Sequence, residues 1–590
     1  MINRGHIVIT ILWATLFMGC SGSKQTSSLL DKDLLLWKFK PGDGVDSLWH
    51  KVEYDDNHWA EVVSDKPLVE QGISLERGFG WYRKRMRFSE SEQKQISESG
   101  AAIINLGRFA ACEEVYVNGK LIGKTGEFPD NYAGYYDHIR TYYVAAEELD
   151  LAGDNLLAIK FHDGWSSAGG FLGGNELSIT AASALEKIEL KVEVKDDDYI
   201  FLGSKGILVE PKLWNRGNEP VRGILSVKLL TDDRTLIKND TTTIIIPGKE
   251  TYQGNMFGVD HPDPGFYRYD ISFSLSEEEE INQQLVVGYE PEKIISPNDQ
   301  PVDFDAYWDR SLEELSKISP DFDMTLIPEQ SKADYDMYQV SMRSFENELI
   351  SGYYAQPKEG SGHPVIVEYM GYGSEPYFPN QTWDGFAYFV LSVRGQALNK
   401  PTNRFGTWFT YGIDNKDSYY YRGAYMDVVR ALDFVCSRPE LDSTKIVVRG
   451  SSQGGALSVA AAALDDRVKA LAVGIPFLSD FRDYFAIASW PRSDVEQYMN
   501  EHPEISWEQI YTTLSYIDIK NLASRIKVPL LMGIGVQDEV CPPHINFAAY
   551  NQVKSPKSWM AFGSYGHSTG SEFHEGGLAL FRKVLNISEL

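Results

Sequence analysis

One stretch of the 590-residue chain has the residue types and spacing of an activated nucleophile: Gly450-Ser451-Ser452-Gln453-Gly454-Gly455. An apolar strand, Lys445-Ile446-Val447-Val448, leads into it, and a strongly helical run from Ala456 to Leu464 follows. Strand, G-x-S-x-G, helix is the context that holds a serine exposed at the end of a sheet. The glycines two before and two after Ser452 let the chain turn tightly and let sheet and helix approach closely. Ser451 lies off the centre of the motif and is expected to point elsewhere. A serine hydroxyl is a weak nucleophile at neutral pH, so it needs a base, itself oriented by an acid.

Four histidines follow Ser452: His502, His544, His567 and His574. In the α/β-hydrolase order, Ser then Asp/Glu then His, the acid comes first. The apolar strand Pro529 to Ile534 ends in Gly535-Val536-Gln537-Asp538, which places Asp538 in a loop at a strand's C-terminal end. Glu539 is its neighbouring competitor. His567 follows the short strand Ser558 to Phe562, in the glycine-flanked loop Gly563 to Ser568. It is the expected base, with His574, at the entry to the terminal helix, in reserve. His544 lies only six residues after the acid, and His502 precedes it. An oxyanion hole needs two donors aimed at the developing charge. The backbone N–H of Gln453 is one, and that of Tyr372, in Tyr369-Met370-Gly371-Tyr372-Gly373, is the other. This chemistry requires no metal and no organic cofactor.

The segments that must position these groups divide by pattern. After Pro301, amphipathic helices alternate with apolar strands, the signature of a doubly wound α/β sheet. The strands are expected at Pro364–Tyr369, Phe386–Val393, Lys445–Val448, Ala470–Gly474 and Pro529–Ile534, with Tyr425, Val428, Val429, Leu432 and Val435 on one helical face. Residues 293–590 are therefore assigned to an α/β-hydrolase catalytic domain. Ahead of it stand two all-β segments. In residues 21–183, Val115-Tyr116-Val117 and Lys120-Leu121-Ile122-Gly123 flank Asn118-Gly119, a strong hairpin signal. In residues 184–292, Ile188 to Val194 alternates with period two, and further strands recur every ten to twenty residues. That spacing suggests an immunoglobulin-like sandwich, and with no chemical constellation in it, it is expected to be a spacer.

Residues 1–20 read as an address. Arg4 precedes the uncharged run Ile7 to Met18, too short to span a bilayer but suited to a signal-peptide core. Leu16-Phe17-Met18-Gly19-Cys20 resembles a lipoprotein processing site, so Cys20 is expected to carry lipid and tie an exported protein to a membrane, the outer membrane being the expected one. Lys+Arg of 56 against Asp+Glu of 84, net −28, argues against nucleic acid as the partner, because such a chain repels phosphates at long range. Cys112, Cys436 and Cys541 remain for the body of the protein, enough for at most one internal disulfide.

Two family resemblances add to this. Asp55-Asp56, Trp59, Trp81-Tyr82-Arg83-Lys84, Asn105-Leu106-Gly107, Val117-Asn118-Gly119 and Gly153-Asp154-Asn155 follow one another as in the galactose-binding-like jelly roll of family 2 glycoside hydrolases and sialate esterases. That module sometimes binds glycan, and Trp165 and Phe171 would then be its candidate aromatics, with packing the competing role. From about residue 293, Asp303-Phe304-Asp305-Ala306-Tyr307-Trp308, Gly371-Tyr372-Gly373, Arg394-Gly395-Gln396, Tyr419-Tyr420-Tyr421-Arg422, Gly450 to Gly454 and Asp538 to Pro543 resemble the acetyl xylan esterase and cephalosporin-C deacetylase family, carbohydrate esterase family 7. The resemblance implies an acetyl-removing serine esterase acting on acetylated carbohydrate, with Arg394 to Gln396 as scaffold. One departure stands out: the family has His-Glu at the base, whereas Ser568 follows His567 and the His-Glu pair is His574-Glu575. A prolyl-oligopeptidase-like peptidase and a glycan-binding lipoprotein with an inert hydrolase domain are the competing readings. The former lacks its propeller repeat.

Overall fold

Among the described residues, those up to 289 build sheets almost exclusively, and helices dominate only beyond them. The computed structural model describes residues 35–44, 48–73, 75, 78–110, 112–129, 138–163, 169–173, 177–379 and 385–587. Residues 1–20, with Cys20, and Trp165 lie outside them.

The first unit holds a six-stranded sheet, in spatial order Ala60–Val63, Leu36–Pro41, Gly78–Met86, Asn155–Asp163, Cys112–Val117 and Lys120–Thr125. A four-stranded sheet around Ala101–Ala110 faces it, and the two share one apolar core that includes Trp37, Tyr82, Ile104, Phe109 and Phe161. Asn118 and Gly119 both take positive φ, 50° and 82°, at the expected hairpin. Two such residues match the right-handed twist of the flanking strands. Phe171 is 1% exposed and packs on Trp37, Tyr82 and Phe109 at 4.9–5.2 Å, so it fills the core.

The second unit has one sheet centred on Gly206–Asn215 and a five-stranded sheet containing Val221–Thr231, Leu236–Ile246, Gly265–Ser274 and Glu280–Tyr289. Its own core gathers Leu229, Tyr269, Phe273 and Val287. Ile200 and Phe266 turn away from that core into the apolar cluster of the third unit, where Phe266 meets Phe547 at 5.9 Å. If this unit is a spacer, it is a docked one and not a free one. A segment that buries aromatic surface in its neighbour's core is fixed to it.

The third unit carries nine strands, numbered within this sheet: Asp323–Leu326 (β1), Tyr335–Arg343 (β2), Leu349–Pro357 (β3), His363–Tyr369 (β4), Ala387–Ser392 (β5), Leu441–Ser451 (β6), Val468–Gly474 (β7), Leu530–Gly535 (β8) and Lys557–Phe562 (β9). They lie in the order β1-β2-β3-β5-β4-β6-β7-β8-β9. The first three pair antiparallel, and β5 through β9 run parallel. Parallel strands covered on both faces read as continuous apolar runs, and these do. Val365, Val367, Phe389, Val448 and Val473 go to one face, while Ile366, Tyr388, Val390, Val447 and Ala472 go to the other. Helices Tyr420–Cys436 and Gln453–Leu464 cover the first face, and Ser571–Leu585 covers the second.

Cys112, Cys436 and Cys541 are free thiols. Among the described residues no helix is long and apolar enough to cross a membrane. The Asp303 to Trp308 motif packs rather than reacts. Trp308 is fully buried, stacks on Tyr425 at 5.5 Å and donates its indole N–H to the Tyr516 carbonyl at 3.1 Å. Trp308→Ala is expected to cost about 3–5 kcal/mol of stability, read as a lower denaturation midpoint by chemical unfolding.

Candidate active site

The carboxyl ends of the parallel strands bring the candidate groups together. β6 ends at Ser451, the helix Gln453–Leu464 begins at once, and Ser452 forms the corner with φ 57° and ψ −123°. Its N–H donates to the Gly474 carbonyl at 2.9 Å, and its carbonyl accepts from Phe477 N–H at 3.0 Å. A Cβ at Gly454 would stand 2.0 Å from the Tyr369 carbonyl oxygen, so only glycine fits under the turn. Ser452 is half-buried. Ser451 points away as expected, its hydroxyl lying against Gly474.

Asp538 follows β8 and His567 follows β9. The His567 Nδ1 meets Asp538 Oδ2 at 2.8 Å. The other carboxylate oxygen, Oδ1, accepts from Val540 and Cys541 N–H, both at 2.8 Å, so the buried side chain is locked in place. Burial opposes the imidazolium, but the Asp538 carboxylate beside it prevails and holds His567 above the usual histidine range. The fully buried Cys541 thiol lies within 4.8 Å of both the His567 ring and the Asp538 carboxylate, and the loops after β8 and β9 that carry them end beside the corner bearing Ser452. Cys541 belongs to the Asp538 to Pro543 motif, and the sequence alone gives it no role. Its place three residues after the acid was the signal.

The other histidines fall elsewhere. His574 lies in the terminal helix near Arg449 and Glu368, where burial and then Arg449 push it down to about 4. His502 ends the helix Arg492–Glu501 on the surface. His544 pairs with Asp232 of the second unit at 2.6 Å, and exposed Glu539 pairs with Arg268 of that unit.

Gln453 opens the helix directly after Ser452 and Tyr372 lies in the loop after β4, and neither backbone N–H has a backbone acceptor among the described residues. The Gln453 side chain, fully buried, forms a reciprocal amide pair with Gln396 at 3.0 and 3.2 Å and accepts from the Tyr421 hydroxyl at 2.9 Å. Gln396 also accepts from Gly373 N–H at 3.1 Å, which ties down the loop bearing Tyr372. Behind this pair, the Tyr420 hydroxyl donates to the Arg394 carbonyl, and the Arg394 guanidinium grips buried Asp427 at 2.7 and 2.9 Å. The expected scaffold role of Arg394 to Gln396 matches this geometry. Asp427, its buried partner, went unnoticed because nothing marks it in a helix full of apolar residues. The Tyr372 ring sits among Trp408, Trp490 and Phe477 at 5.2–6.4 Å.

A sequence model of the family described as acetyl xylan esterase (AXE1) matches residues 289–585. The chain belongs to the acetyl xylan esterase family. The acetyl esterase Axe7A of Xylanibacter ruminicola is 29% identical over 324 residues, 52% of this chain and 72% of that protein. The solved acetyl xylan esterase of a Paenibacillus species is 34% identical and covered over 99% of its length by 50% of this chain, with a TM-score of 0.47. Acetyl Xylan Esterase 1 of a Thermoanaerobacterium species is 29% identical and covered over 98% of its length by 50% of this chain, with a TM-score of 0.46. Both β units ahead of residue 289 thus lie outside the family match.

For an esterase of this family a pH profile tests the His567–Asp538 pair. A base works only when neutral, and a raised histidine pKa moves its deprotonation to higher pH. The acid limb of kcat/KM for p-nitrophenyl acetate is expected above the ordinary histidine value of about 6.5. Asp538→Asn is expected to move that limb down and to lower kcat by about 10²- to 10⁴-fold, both read from rates across pH.

Proposed function

We propose that the protein is an exported serine carbohydrate esterase that removes acetyl groups from acetylated oligo- or polysaccharides. The observation that carries the reading is half-buried Ser452, held at its strained strand–helix corner, together with a His567 ring hydrogen-bonded to Asp538 at the carboxyl ends of the same sheet. Ser452 Oγ attacks the acetyl carbonyl carbon while His567 takes its proton. The negative oxygen of the tetrahedral intermediate lies against the N–H groups of Gln453 and Tyr372. Collapse expels the sugar oxygen, which takes the proton back from His567, and leaves acetyl-Ser452. Water, deprotonated by the same histidine, then releases acetate and restores the serine. Asp538 fixes the ring orientation and stabilises the imidazolium in both halves.

The carbohydrate half of the reading rests on the family and on the rim of the site. Half-buried Tyr372, Trp408 and Trp490 stand beside Phe477, whose N–H is bonded to Ser452 itself. Aromatic faces of this kind suit the apolar faces of sugar rings. Residues 21–183 are read as a galactose-binding-like jelly roll, 184–292 as an immunoglobulin-like sandwich and 293–590 as the catalytic α/β-hydrolase. Export and a lipid anchor at Cys20 are inferred from residues 1–20, and an outer-membrane location from the same segment.

The test is acetate release from p-nitrophenyl acetate and acetylated xylo-oligosaccharide by wild type and Ser452→Ala. A loss of at least about 10⁴-fold in kcat is expected for the variant on both substrates. Equal rates from the two proteins would remove the serine mechanism, and activity on the nitrophenyl ester alone would remove the carbohydrate.

A further inference from the structure

The loop that carries the catalytic acid is held, residue by residue, by the second β unit. The strand Glu280–Tyr289 has Gly265–Ser274 on one side, while on its other side Ile200–Phe201 pairs only with Gly288 and Tyr289. At Val286 that outer edge is closed by a side chain. Gln537 Oε1 accepts from Val286 N–H at 2.8 Å, and Gln537 Nε2 donates to the Val286 carbonyl at 2.9 Å. A primary amide presents the same donor and acceptor as one residue of a neighbouring strand, so Gln537 extends the sheet by a single rung. The same Nε2 donates to the Gly563 carbonyl at 2.6 Å, and Gln537 N–H donates to the Tyr565 carbonyl at 2.8 Å. Gln537 directly precedes Asp538, and Gly563 to Tyr565 lead into His567.

Neighbouring contacts run the same way. Glu539 pairs with Arg268 at 3.2 Å. His544 meets Asp232 at 2.6 Å and Asp483 at 3.4 Å. A Cβ on Gly563 would stand 2.3 Å from the Asp197 carbonyl oxygen, so the second unit presses on the base loop as well.

We propose that the second β unit is part of the catalytic device: through Gln537 as a positioning residue, its sheet edge sets the spacing between the acid loop and the base loop. The proposal rests on the reading of Ser452, His567 and Asp538 as a triad. It does not make Gln537 a catalytic residue, since its amide touches only backbone groups. Removing the rung leaves each loop attached to its own strand and lets the Asp538–His567 contact loosen.

Two variants approach the rung from opposite sides. Gln537→Met keeps the bulk and removes the amide. Val286→Pro leaves the hydrolase unit's own sequence unchanged, keeps an apolar side chain against its core, and removes the donor from an outward-facing position at a strand edge, where proline is tolerated. Both are expected to lower kcat/KM for p-nitrophenyl acetate by about 10- to 100-fold, as small misplacements of reacting groups do. KM is expected to stay unchanged, and the His567 titration, followed by NMR with His567→Gln to identify its resonance, to move toward the ordinary histidine value. A merely structural rung would lower stability and leave that titration where it was. Wild-type rates and titration in both variants would overturn the proposal. An effect of Gln537→Met without one of Val286→Pro would also overturn it, assigning the role to Gly563 alone. If Gln537→Met fails to fold, Val286→Pro decides. If wild type and Ser452→Ala hydrolyse the ester equally, the triad reading fails, yet the NMR titration still decides whether the second unit holds His567.

Discussion

The backbone of Ser452 is the constraint to which the rest of the site answers. A non-glycine residue at φ 57°, ψ −123° carries on the order of 1–3 kcal/mol of strain, and it persists only where the surroundings over-determine it. Here they do. The Ser452 N–H and carbonyl are bonded to Gly474 and Phe477, on the far side of β7's end, and the bare glycines at 450 and 454 let the turn sit against Tyr369 at the end of β4. Those contacts require β4, β6 and β7 to lie side by side and parallel, which is the order found. The same topology puts the loops after β4, β8 and β9 at one edge, carrying Tyr372, Asp538 and His567. One strained corner and one sheet order thus account for the whole constellation.

The loops are held by polar groups buried where water cannot reach. Arg394 and Asp427 form a buried ion pair whose oxygens also accept from the Ser344 hydroxyl and the Arg394 backbone N–H. Burying two charges is expensive, and such a pair is more a device of specificity than of stability. The helix Tyr420–Cys436 makes a concession to it. Gly423 sits in the helix, where glycine costs about 1 kcal/mol relative to alanine, and a Cβ there would come within 2.0 Å of the Arg394 guanidinium. The helix gives up propensity to make room for the charge. From Arg394 the order passes through Tyr420 and Gln396 to Gln453 and Gly373, that is, to the helix start after Ser452 and to the loop that bears Tyr372.

How much of this was legible in the sequence follows from the range of the forces. The elbow is local, so Gly450 to Gly454 between a strand and a helix marks it directly. The parallel strands are continuous apolar runs, and each expected one is present within a few residues. The acid and base follow from chain order and from glycine-rich loops after strands. β1, β2 and β3 escaped because they are antiparallel additions at the sheet's edge, outside the βαβ rhythm, and β2 alternates buried with more exposed residues. Asp427 and the Gln537 rung escaped for a different reason. Each bonds to a partner tens to hundreds of residues away, Gln537 to Val286 and Asp427 to Arg394 and Ser344. No local pattern encodes such pairings. The second unit reads as a spacer because its contacts are made by the Val286 backbone, which every sequence supplies alike, and by Arg268 and Asp232, whose partners lie more than 200 residues further on.

Cys541 raises the question of why the proposed nucleophile is Ser452 and not this thiol. A thiolate is the better nucleophile, and the thiol lies within 4.8 Å of the His567 ring. Three features keep sulfur out of the chemistry. Burial pushes the Cys541 thiol up, and the Asp538 carboxylate adds to that, outweighing the pull of His567, so at neutral pH it stays protonated. The residue is wholly inaccessible, whereas Ser452 is half-exposed at the corner. Its backbone N–H is committed to Asp538 Oδ1, which ties the residue to the Asp538 loop. A neutral, polarisable group at that spot fills the space next to the ring without offering a competing charge, and the imidazole keeps a single counter-ion in Asp538.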